Sequence, residues 1–281
     1  MGCALAIALS RKGFGIGGVY NRTAETVEFL AEILGRRPQD CIRPVMANSD
    51  VVFVTVADDY IEKMAEDIAS STGDAAIRGK VFFHCSGALD SGALNALAGL
   101  GGHTGSLHPI QTFADRQNGW EGLLSNIYFG FEGCQQAFET AQKIVSAFGG
   151  AMIEIKKEDK PLYHAAACML SNYMVTLSDT AAGILESIGI DREDGMKAFM
   201  PLLEKTVKNI GAAGPAKALT GPISRGDWQV VGSHVKSIDR KCPEAGEVYR
   251  TLGRKTVRLA AAEGKIGKES VDKLYEALGG L

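Results

Sequence analysis

The feature that most constrains the fold is an alternation of short apolar runs and longer helical patterns up to about residue 157. Residues 51–56 form a continuous, mostly β-branched run, which is typical of a strand buried on both faces of a parallel sheet. We predict further strands at residues 80–84, 126–131 and 151–155, and helices at residues 24–34, 60–69, 91–100 and 135–148. This alternation predicts an α/β fold with a doubly wound parallel sheet.

The pattern changes at about residue 158. Long helical stretches follow at residues 160–187, 192–210, 228–238, 244–263 and 268–278, and no β-rich run recurs. We therefore predict two domains, an α/β domain over residues 1–157 and a mainly α-helical domain over residues 158–281.

The chain starts directly with a helical apolar run at residues 3–9, followed by a strand-like stretch that ends with residues 18–23. In a dinucleotide-binding unit, a strand and a glycine-rich turn come before this helix. We therefore expect a Rossmann-like domain that lacks its first strand and phosphate loop, with Gly2 as the last glycine of that turn and a cofactor contact. Such a sheet would have two unpaired apolar edges, so we expect a poorly soluble protein.

The glycines within residues 13–18 match the G-x-G-x-x-G pattern by letter but not by context. They follow a helix and precede a strand, whereas the phosphates of a dinucleotide bind at a helix N-terminus. We interpret them as a helix C-cap and the start of a strand.

Asn21, Arg22 and Thr23 close the predicted second strand, where a dinucleotide-dependent enzyme contacts the adenosine ribose. An acidic residue there would select NAD, whereas an arginine with small polar neighbours suits the 2′-phosphate of NADP. These residues predict NADP as the cofactor. The alternative is a solvated strand end with Thr23 as a helix N-cap.

Two other groups follow predicted strands. Val56 and Ala57 come after one strand, and Ser86 and Gly87 come after the next. Ligands of open α/β sheets bind outside the carboxyl ends of the strands, so we expect these residues to line the cofactor. The acidic pair at residues 58–59 is better explained as a helix cap.

Candidate proton donors lie in two segments. His108 lies in residues 106–113, which we place in a loop after a strand, and it could donate a proton or simply be a hydrogen-bonded loop residue. On the helix predicted at 160–187, a polar stripe with helical spacing has apolar neighbours, which predicts that it faces a cleft. The stripe consists of Lys160, His164, Cys168 and Asn172. We assign His164 as proton donor, Asn172 as its hydrogen-bonding partner and Cys168 as a packing residue.

Arg225 lies in a turn that joins two predicted helices, with Asp227 as N-cap of the second. A rigid turn would hold its guanidinium in place to bind a substrate carboxylate through two hydrogen bonds. The alternative is an arginine paired with Asp or Glu.

Composition excludes several classes of protein. Net charge is −3 and no block of like charge occurs, so we expect no nucleic-acid partner. The six cysteines have no metal-binding or redox spacing, so we expect reduced thiols and no metal site. No segment has the length of a membrane span, and the apolar N-terminus lacks the basic start of a signal peptide. We expect a cytoplasmic protein.

Residues 19–23, 106–113, 163–172 and 219–227 together resemble Rossmann-like oxidoreductases with a C-terminal helical domain of unknown function. These are relatives of pyrroline-5-carboxylate reductase, ketopantoate reductase and the β-hydroxyacid dehydrogenases. The resemblance covers nearly the whole chain and implies NADP-dependent reduction in an interdomain cleft, a helical domain like that of 6-phosphogluconate dehydrogenase, and a homodimer. Ketopantoate reductases have a lysine and two asparagines on the corresponding helix, and His164, Cys168 and Asn172 occupy those positions here.

The leading hypothesis is an NADP-dependent oxidoreductase that acts on a carbonyl or imine carbon of a small carboxylated substrate, possibly one like ketopantoate. His164 or His108 would exchange the proton, Asn172 would position the substrate and Arg225 would hold its carboxylate. The alternatives are a nucleotide-sensing protein without turnover and an inactive truncated remnant.

Overall fold

The computed structural model describes residues 1–21, 23–35, 39, 41–113, 119–124 and 126–280, without the side chains of residues 24, 25 and 27. The chain divides into two compact units, Met1–Ser171 and Asn172–Leu281. The composition changes near residue 158, whereas this division comes after Ser171, because the helix that begins at Lys160 packs with the first unit.

A five-stranded sheet organises the first unit, with the strands side by side in chain order. They are β1 (Val51–Val54), β2 (Val81–His84), β3 (His103–Pro109), β4 (Tyr128–Gly133) and β5 (Ala151–Glu154). Neighbouring strands are parallel except for β3 and β4, which are antiparallel. The predicted α/β, Rossmann-like class is confirmed, but the sheet is mixed. Parallel pairing needs a long crossover, usually a helix, and the described residues between β3 and β4 form only the 3-10 turn Glu121–Leu123.

Helices cover both faces of this sheet. They are α1 (Gly2–Arg11), α2 (Ala24–Leu34), α3 (Ile42–Ala47), α4 (Ile61–Thr72), α5 (Asp74–Ile77), α6 (Asn95–Ala98), α7 (Gln135–Ala147) and α8 (Lys160–Leu170). Successive side chains of β2 point to opposite faces of the sheet and pack against different helices. Phe83 packs in a cluster with residues of α1 and α7, whereas Phe82 packs in a cluster with residues of α4. A strand buried on both faces needs apolar side chains at consecutive positions, as predicted.

Two predicted features of the first unit differ in the structure. Residues 14–21 form no strand, and β1 pairs only with β2 among the described residues. A strand needs a neighbour for its backbone hydrogen bonds, and residues 14–21 pair with none of the described strands. The loop predicted for residues 106–113 begins only after Pro109, so that His108 lies on β3.

The second unit is helical, as predicted. It contains α9 (Asn172–Glu186), α10 (Arg192–Ala213), α11 (Pro215–Ala218), α12 (Trp228–Lys241), α13 (Gly246–Ala262) and α14 (Lys268–Ala277). Its core includes the fully buried side chains of Val231, Val257, Leu274 and Leu278. Asp227 caps α12 by accepting a hydrogen bond from the Val230 amide at 3.3 Å, as predicted.

The helix predicted at residues 160–187 is two helices, α8 and α9, separated at Ser171. The backbone of Ser171 has φ −113° and ψ −76°, which interrupts the helical path. The polar stripe with helical spacing therefore ends at Cys168, and Asn172 begins a different helix in the second unit.

None of the helices among the described residues is long and apolar enough to cross a membrane. Within the same residues, no group of three or more His, Cys, Asp or Glu side chains is arranged to hold a metal ion.

Candidate active site at the carboxyl ends of the parallel strands

The carboxyl ends of β1, β2 and β3 lie at the same edge of the sheet because these strands are parallel. Val56 and Ala57 follow β1, Ser86 and Gly87 follow β2, and His108 is close to the end of β3. All five residues therefore lie at the edge where open α/β sheets bind ligands, as the sequence predicts.

Gly87 brings the two candidate proton donors together. A Cβ atom on Gly87 would lie 2.6 Å from Cδ2 of His164 and 3.0 Å from Nε2 of His108, so both imidazoles pack against this glycine. Their ring centroids are 6.2 Å apart, and the rings are nearly perpendicular at 81°. The first unit alone thus juxtaposes two histidines that the sequence offered as alternatives.

Tyr163 orients the His108 ring. Its hydroxyl lies 2.7 Å from Nδ1 of His108, and we assign the hydroxyl as donor because it has no other acceptor among the described residues. This assignment leaves the ring proton on Nε2, the atom that faces Gly87. Burial raises the pKa of Tyr163 to about 12, so the phenol stays protonated.

His108 is a neutral imidazole near pH 7. Burial, followed by the charges of Lys160 and His164, lowers the pKa of His108 to about 4, and the opposing effect of Asp58 is smaller. A neutral imidazole can still donate a hydrogen bond from Nε2 to a substrate oxygen. His164, the second imidazole at Gly87, is partly exposed.

Lys160 begins the predicted polar stripe, where no individual role was expected for it, and the structure buries it at this edge of the sheet. Its side chain is 0% exposed, and Nζ donates hydrogen bonds to the Ser86 carbonyl oxygen at 3.1 Å and to Ser106 Oγ at 2.7 Å. Ser106 Oγ in turn donates to the same carbonyl at 3.0 Å. Burial lowers the pKa of Lys160 to about 8. The ammonium group links the ends of β2 and β3 to α8.

The Ser86 side chain stabilises the turn after β2. Ser86 Oγ donates to Asp58 Oδ2 at 2.6 Å and accepts from the amides of Ala88 and Leu89 at 3.2 and 3.0 Å. Asp58 was expected to cap a helix, but its side chain caps none and binds Ser86 instead. With its hydroxyl occupied, Ser86 can contribute backbone rather than side chain to a ligand site.

His84 fixes the same turn from the other side. Its Nε2 lies 2.9 Å from the Asp90 carbonyl oxygen, and its Nδ1 accepts from the Ser86 amide at 3.2 Å. Burial lowers the pKa of His84, which favours the neutral ring that this pair of hydrogen bonds requires. The only sign of this role in the sequence is a histidine at the end of a predicted strand.

The predicted cofactor residues at the N-terminus are only partly described. Gly2 contacts Thr55 so closely that a side chain at position 2 would clash, which agrees with a glycine at a close helix–strand approach. Asn21 Oδ1 accepts from the Thr23 amide at 3.0 Å, and Thr23 is the N-cap position of α2 without a side-chain cap bond. Arg22 lies outside the described residues.

Arg225 and Asn172 belong to the second unit. Arg225 ends the 3-10 turn Ile223–Arg225, is exposed and pairs with no carboxylate within the described part of the chain, so the alternative of an ion-paired arginine is not observed there. In the first unit, Cys168 Sγ lies 3.9 Å from both ring nitrogens of His164, as expected for a packing contact.

Two family models match the chain. A Rossmann-like domain model matches residues 1–109, and the model of a domain of unknown function, DUF2520, matches residues 127–256. The chain therefore contains a Rossmann-like domain followed by a DUF2520 domain. Among curated proteins, no significant match was found.

Solved structures share this fold over nearly the whole chain. A protein of Thermotoga maritima is 26% identical, with 87% of this chain and 90% of that chain covered and a TM-score of 0.68. A Bacteroides fragilis protein with a suggested NADP oxidoreductase activity is 23% identical, with coverages of 91% and 93% and a TM-score of 0.72. An imine reductase from Myxococcus stipitatus, solved with NADP⁺, is 17% identical, with coverages of 98% and 96% and a TM-score of 0.62.

The site draws on both matched segments. Gly87 and His108 lie in the Rossmann-like segment, whereas Lys160, Tyr163 and His164 lie in the DUF2520 segment. Helix α8, in the DUF2520 segment, thus supplies the Lys160 and Tyr163 side chains to the edge of the sheet.

Proposed function

We propose that this protein is an NADP-dependent oxidoreductase that transfers a hydride between nicotinamide and a carbonyl or imine carbon of a small carboxylated substrate. The observation that carries the proposal is the convergence of His108 and His164 on Gly87 at the ligand-binding edge of the sheet. The structures of similar fold that bear the names NADP oxidoreductase and imine reductase support it.

The described residues fit a dinucleotide at this edge. Gly2 begins α1 beside Thr55, immediately after β1, and Val56, Ala57 and Gly87 present small side chains or backbone. Asn21, Arg22 and Thr23 would hold the adenosine ribose and its 2′-phosphate. Bound NADPH would supply the hydride.

The proposed roles of the protein side chains follow from their surroundings. His164 exchanges the proton with the substrate, and neutral His108 donates a hydrogen bond from Nε2. Tyr163 holds the His108 ring in the required tautomer. From the second unit, Arg225 would bind the substrate carboxylate and Asn172 would position the reacting group.

We further propose a cytoplasmic homodimer. All six cysteines are free thiols, which is the usual state in a reducing compartment. Helices α9 and α10 expose large apolar side chains, which are commonly covered by a partner. Among them are Tyr173, Val175, Leu177, Phe199, Leu202 and Val207.

Titration with NADPH and NADH, followed by nicotinamide fluorescence, tests the proposal. We expect NADPH to bind at least about tenfold more tightly than NADH, because charge-assisted hydrogen bonds to the 2′-phosphate contribute about 1.5–3 kcal/mol. Arg22→Ala should abolish this preference, and Lys12→Ala, at the exposed end of α1, is the matched control. If neither nucleotide binds, the proposed function is wrong.

The variant His164→Asn distinguishes the proposed oxidoreductase from a nucleotide-sensing protein without turnover. We expect this variant to bind NADPH normally and to lose substrate-dependent NADPH oxidation by about a hundredfold or more, because a positioned proton donor contributes about 10²–10⁴ in rate. His103→Asn changes a histidine at the opposite end of β3 and should keep turnover. Equal turnover of wild type and His164→Asn would refute the proton-donor role.

A further inference from the structure

The backbone amide of Gly87 is a donor without a partner. In the turn after β2, the Ser86 amide donates to His84 Nδ1, and the amides of the two residues after Gly87 donate to Ser86 Oγ. Gly87 is buried as well, but its N–H forms no hydrogen bond within the described part of the chain. Such amides are rare in folded proteins, because nothing compensates their loss of water. The N–H of Gly87 is therefore a candidate to donate to a bound ligand.

The peptide group that carries this N–H is held at its other end. The Ser86 carbonyl oxygen accepts from Lys160 Nζ at 3.1 Å and from Ser106 Oγ at 3.0 Å, and both of these side chains are fully buried. The Ser86–Gly87 peptide bond is trans, so its C=O and N–H point in opposite directions. With the carbonyl directed at Lys160 and Ser106, the N–H of Gly87 is directed away from them.

A second donor lies beside Gly87. A Cβ atom on this residue would lie 3.0 Å from His108 Nε2, and the three atoms nearest to it all belong to the imidazoles of His108 and His164. His108 Nε2 carries the ring proton, because Tyr163 donates to Nδ1. Two N–H donors, one from the backbone and one from a neutral imidazole, therefore meet at this position.

The acidic side chain on this turn has a partner of its own. Asp58 Oδ2 accepts from Ser86 Oγ at 2.6 Å, while Lys160 donates to the backbone of the same residue at 3.1 Å. One acidic and one basic side chain are thus engaged in hydrogen bonds on the same turn. Ligand binding at Gly87 would therefore depend on the direction of two neutral donors rather than on a net charge.

Two N–H donors suit a group that only accepts hydrogen bonds. An ionised carboxylate has two oxygens that accept and no donor, whereas a carboxamide would also need an acceptor for its NH₂ group. The carboxylate is also the group that the proposed carbonyl and imine substrates share. Its two oxygens offer about four acceptor positions, which leaves positions for Arg225 to bind the same group.

We propose that the Gly87 N–H and the His108 Nε2–H together bind the carboxylate of the substrate, with Lys160 as a positioning residue that fixes the direction of the Gly87 N–H. The inference rests on the proposed function. Lys160 acts through the Ser86 carbonyl oxygen and does not itself contact the substrate, because its side chain is fully buried.

NMR can observe this one peptide group without a mutation in it. The sequence contains two Ser–Gly steps, Ser86–Gly87 and Ser91–Gly92. Protein with ¹³C in the serine carbonyl and ¹⁵N in glycine therefore gives two signals in an HNCO spectrum, and Ser91→Thr removes one of them and so assigns both. The Gly92 amide donates to Asp90 Oδ1 at 2.7 Å within the protein, so its signal is the internal control.

Oxamate is the carboxylate probe, added to protein with NADP⁺ bound. We expect oxamate to shift the Gly87 amide proton downfield, as a new hydrogen bond to oxygen does, and to leave the Gly92 signal in place. Ethyl oxamate has an ester in place of the carboxylate and should bind at least about tenfold more weakly, because hydrogen bonds to charged groups are stronger. Equal binding of the two compounds overturns the inference, as does no binding of oxamate.

The same spectra separate the substrate from the cofactor as the acceptor. A downfield shift of the Gly87 amide proton with NADP⁺ alone, which oxamate does not change, would assign this donor to the cofactor and overturn the inference. Failure of the proposed function gives a different result, because neither NADPH nor NADP⁺ then binds. That outcome removes the basis of the inference as well.

Lys160→Met tests the positioning role. The Ser86 carbonyl loses its charged donor, so its ¹³C signal should move upfield, and the affinity for oxamate should fall about tenfold while the affinity for NADPH is kept. Lys143→Met removes an exposed lysine of α7 and should change none of these quantities. Unchanged oxamate affinity in Lys160→Met overturns the role of Lys160, as does an equal loss of affinity for NADPH, which a general structural defect would cause.

If Lys160→Met does not fold, the wild-type protein still provides the test. Burial lowers the pKa of Lys160 to about 8, and the nearby groups of Glu132, Asp90, Asp58 and Cys85 raise it by less. The Ser86 carbonyl ¹³C signal should therefore move between pH 7 and pH 9, as Lys160 loses its charge, while the Ser91 signal stays in place. A Ser86 signal that stays constant across this range contradicts the role of Lys160.

Discussion

At the scale of single residues, the site depends on a position without a side chain. Gly87 allows His108 and His164 to approach the same point, and Tyr163 then sets the tautomer of His108. The sequence identified both histidines as candidates because each lies near a strand end or on an amphipathic helix. It did not reveal their contact, because they come from separate segments and meet only through the packing of α8.

Gly87→Ala should displace both imidazoles. The added methyl group would lie 2.6 Å from His164 and 3.0 Å from His108, and overpacking of this kind costs about 1–3 kcal/mol. We expect at least a tenfold loss of turnover and a matching loss in the free energy of unfolding, measured by urea denaturation. Gly15→Ala, where no atom lies within 4 Å, is the control and should change stability by less than about 0.5 kcal/mol. Normal turnover in Gly87→Ala would contradict the close contact.

His108 should make folding stability depend on acid pH. Its folded-state pKa of about 4 lies below the value of about 6.5 in an unfolded chain, so the unfolded state binds more protons in this window. The free energy of unfolding should therefore fall as pH decreases from about 6.5 to 4, and His84, whose pKa is also lowered, acts in the same direction. Urea denaturation of His108→Asn should show a shallower pH slope than wild type. His103→Asn controls for replacing a histidine on β3, and an unchanged slope in His108→Asn would argue against the lowered pKa.

At the scale of secondary-structure elements, Lys160 joins β2, β3 and α8. Its position at the start of a polar stripe was visible in the sequence, but its complete burial was not, because burial depends on where α8 packs. The same is true of the reversed direction of β4, which no local pattern specified. By contrast, the capping role of Asp227 was predictable because it depends on the adjacent backbone.

Ser106→Ala should weaken this junction. Ser106 is fully buried, and its hydroxyl accepts from Lys160 Nζ at 2.7 Å while donating to the Ser86 carbonyl. Loss of a hydrogen bond to a buried charged group costs about 1.5–3 kcal/mol. Chemical denaturation should show this loss, whereas the exposed Ser70→Ala on α4 should stay within about 0.5 kcal/mol of wild type. A loss as small as that of Ser70→Ala would mean that Lys160 has another acceptor.

At the scale of the whole molecule, the chain consists of two compact units with different chemistry. The first contains the sheet and the cluster around Gly87, whereas the second contains Asn172 and Arg225. Helices α9 and α10 of the second unit expose large apolar side chains that do not pack into its core.

Sedimentation equilibrium tests the proposed homodimer. We expect a mass twice the 29.8 kDa of the chain. Val175→Glu combined with Leu202→Glu should shift the protein toward monomer, because these side chains are 70% and 62% exposed and would place charges in an apolar interface. Lys208→Glu changes the charge of α10 at a polar position and is the control. A monomer at all concentrations would contradict the proposal.

The order of strands and helices, the helical second half and the histidine candidates were determined by the sequence alone, because hydrophobic periodicity and capping act over a few residues. Tertiary structure decided the rest. In the structure β4 is antiparallel to β3, and residues 14–21 form no strand. The helix break at Ser171 separates Asn172 from the polar stripe, and Lys160 is buried against Ser86 and Ser106. These outcomes depend on contacts between distant segments, whose energies are set by register and desolvation rather than by local pattern.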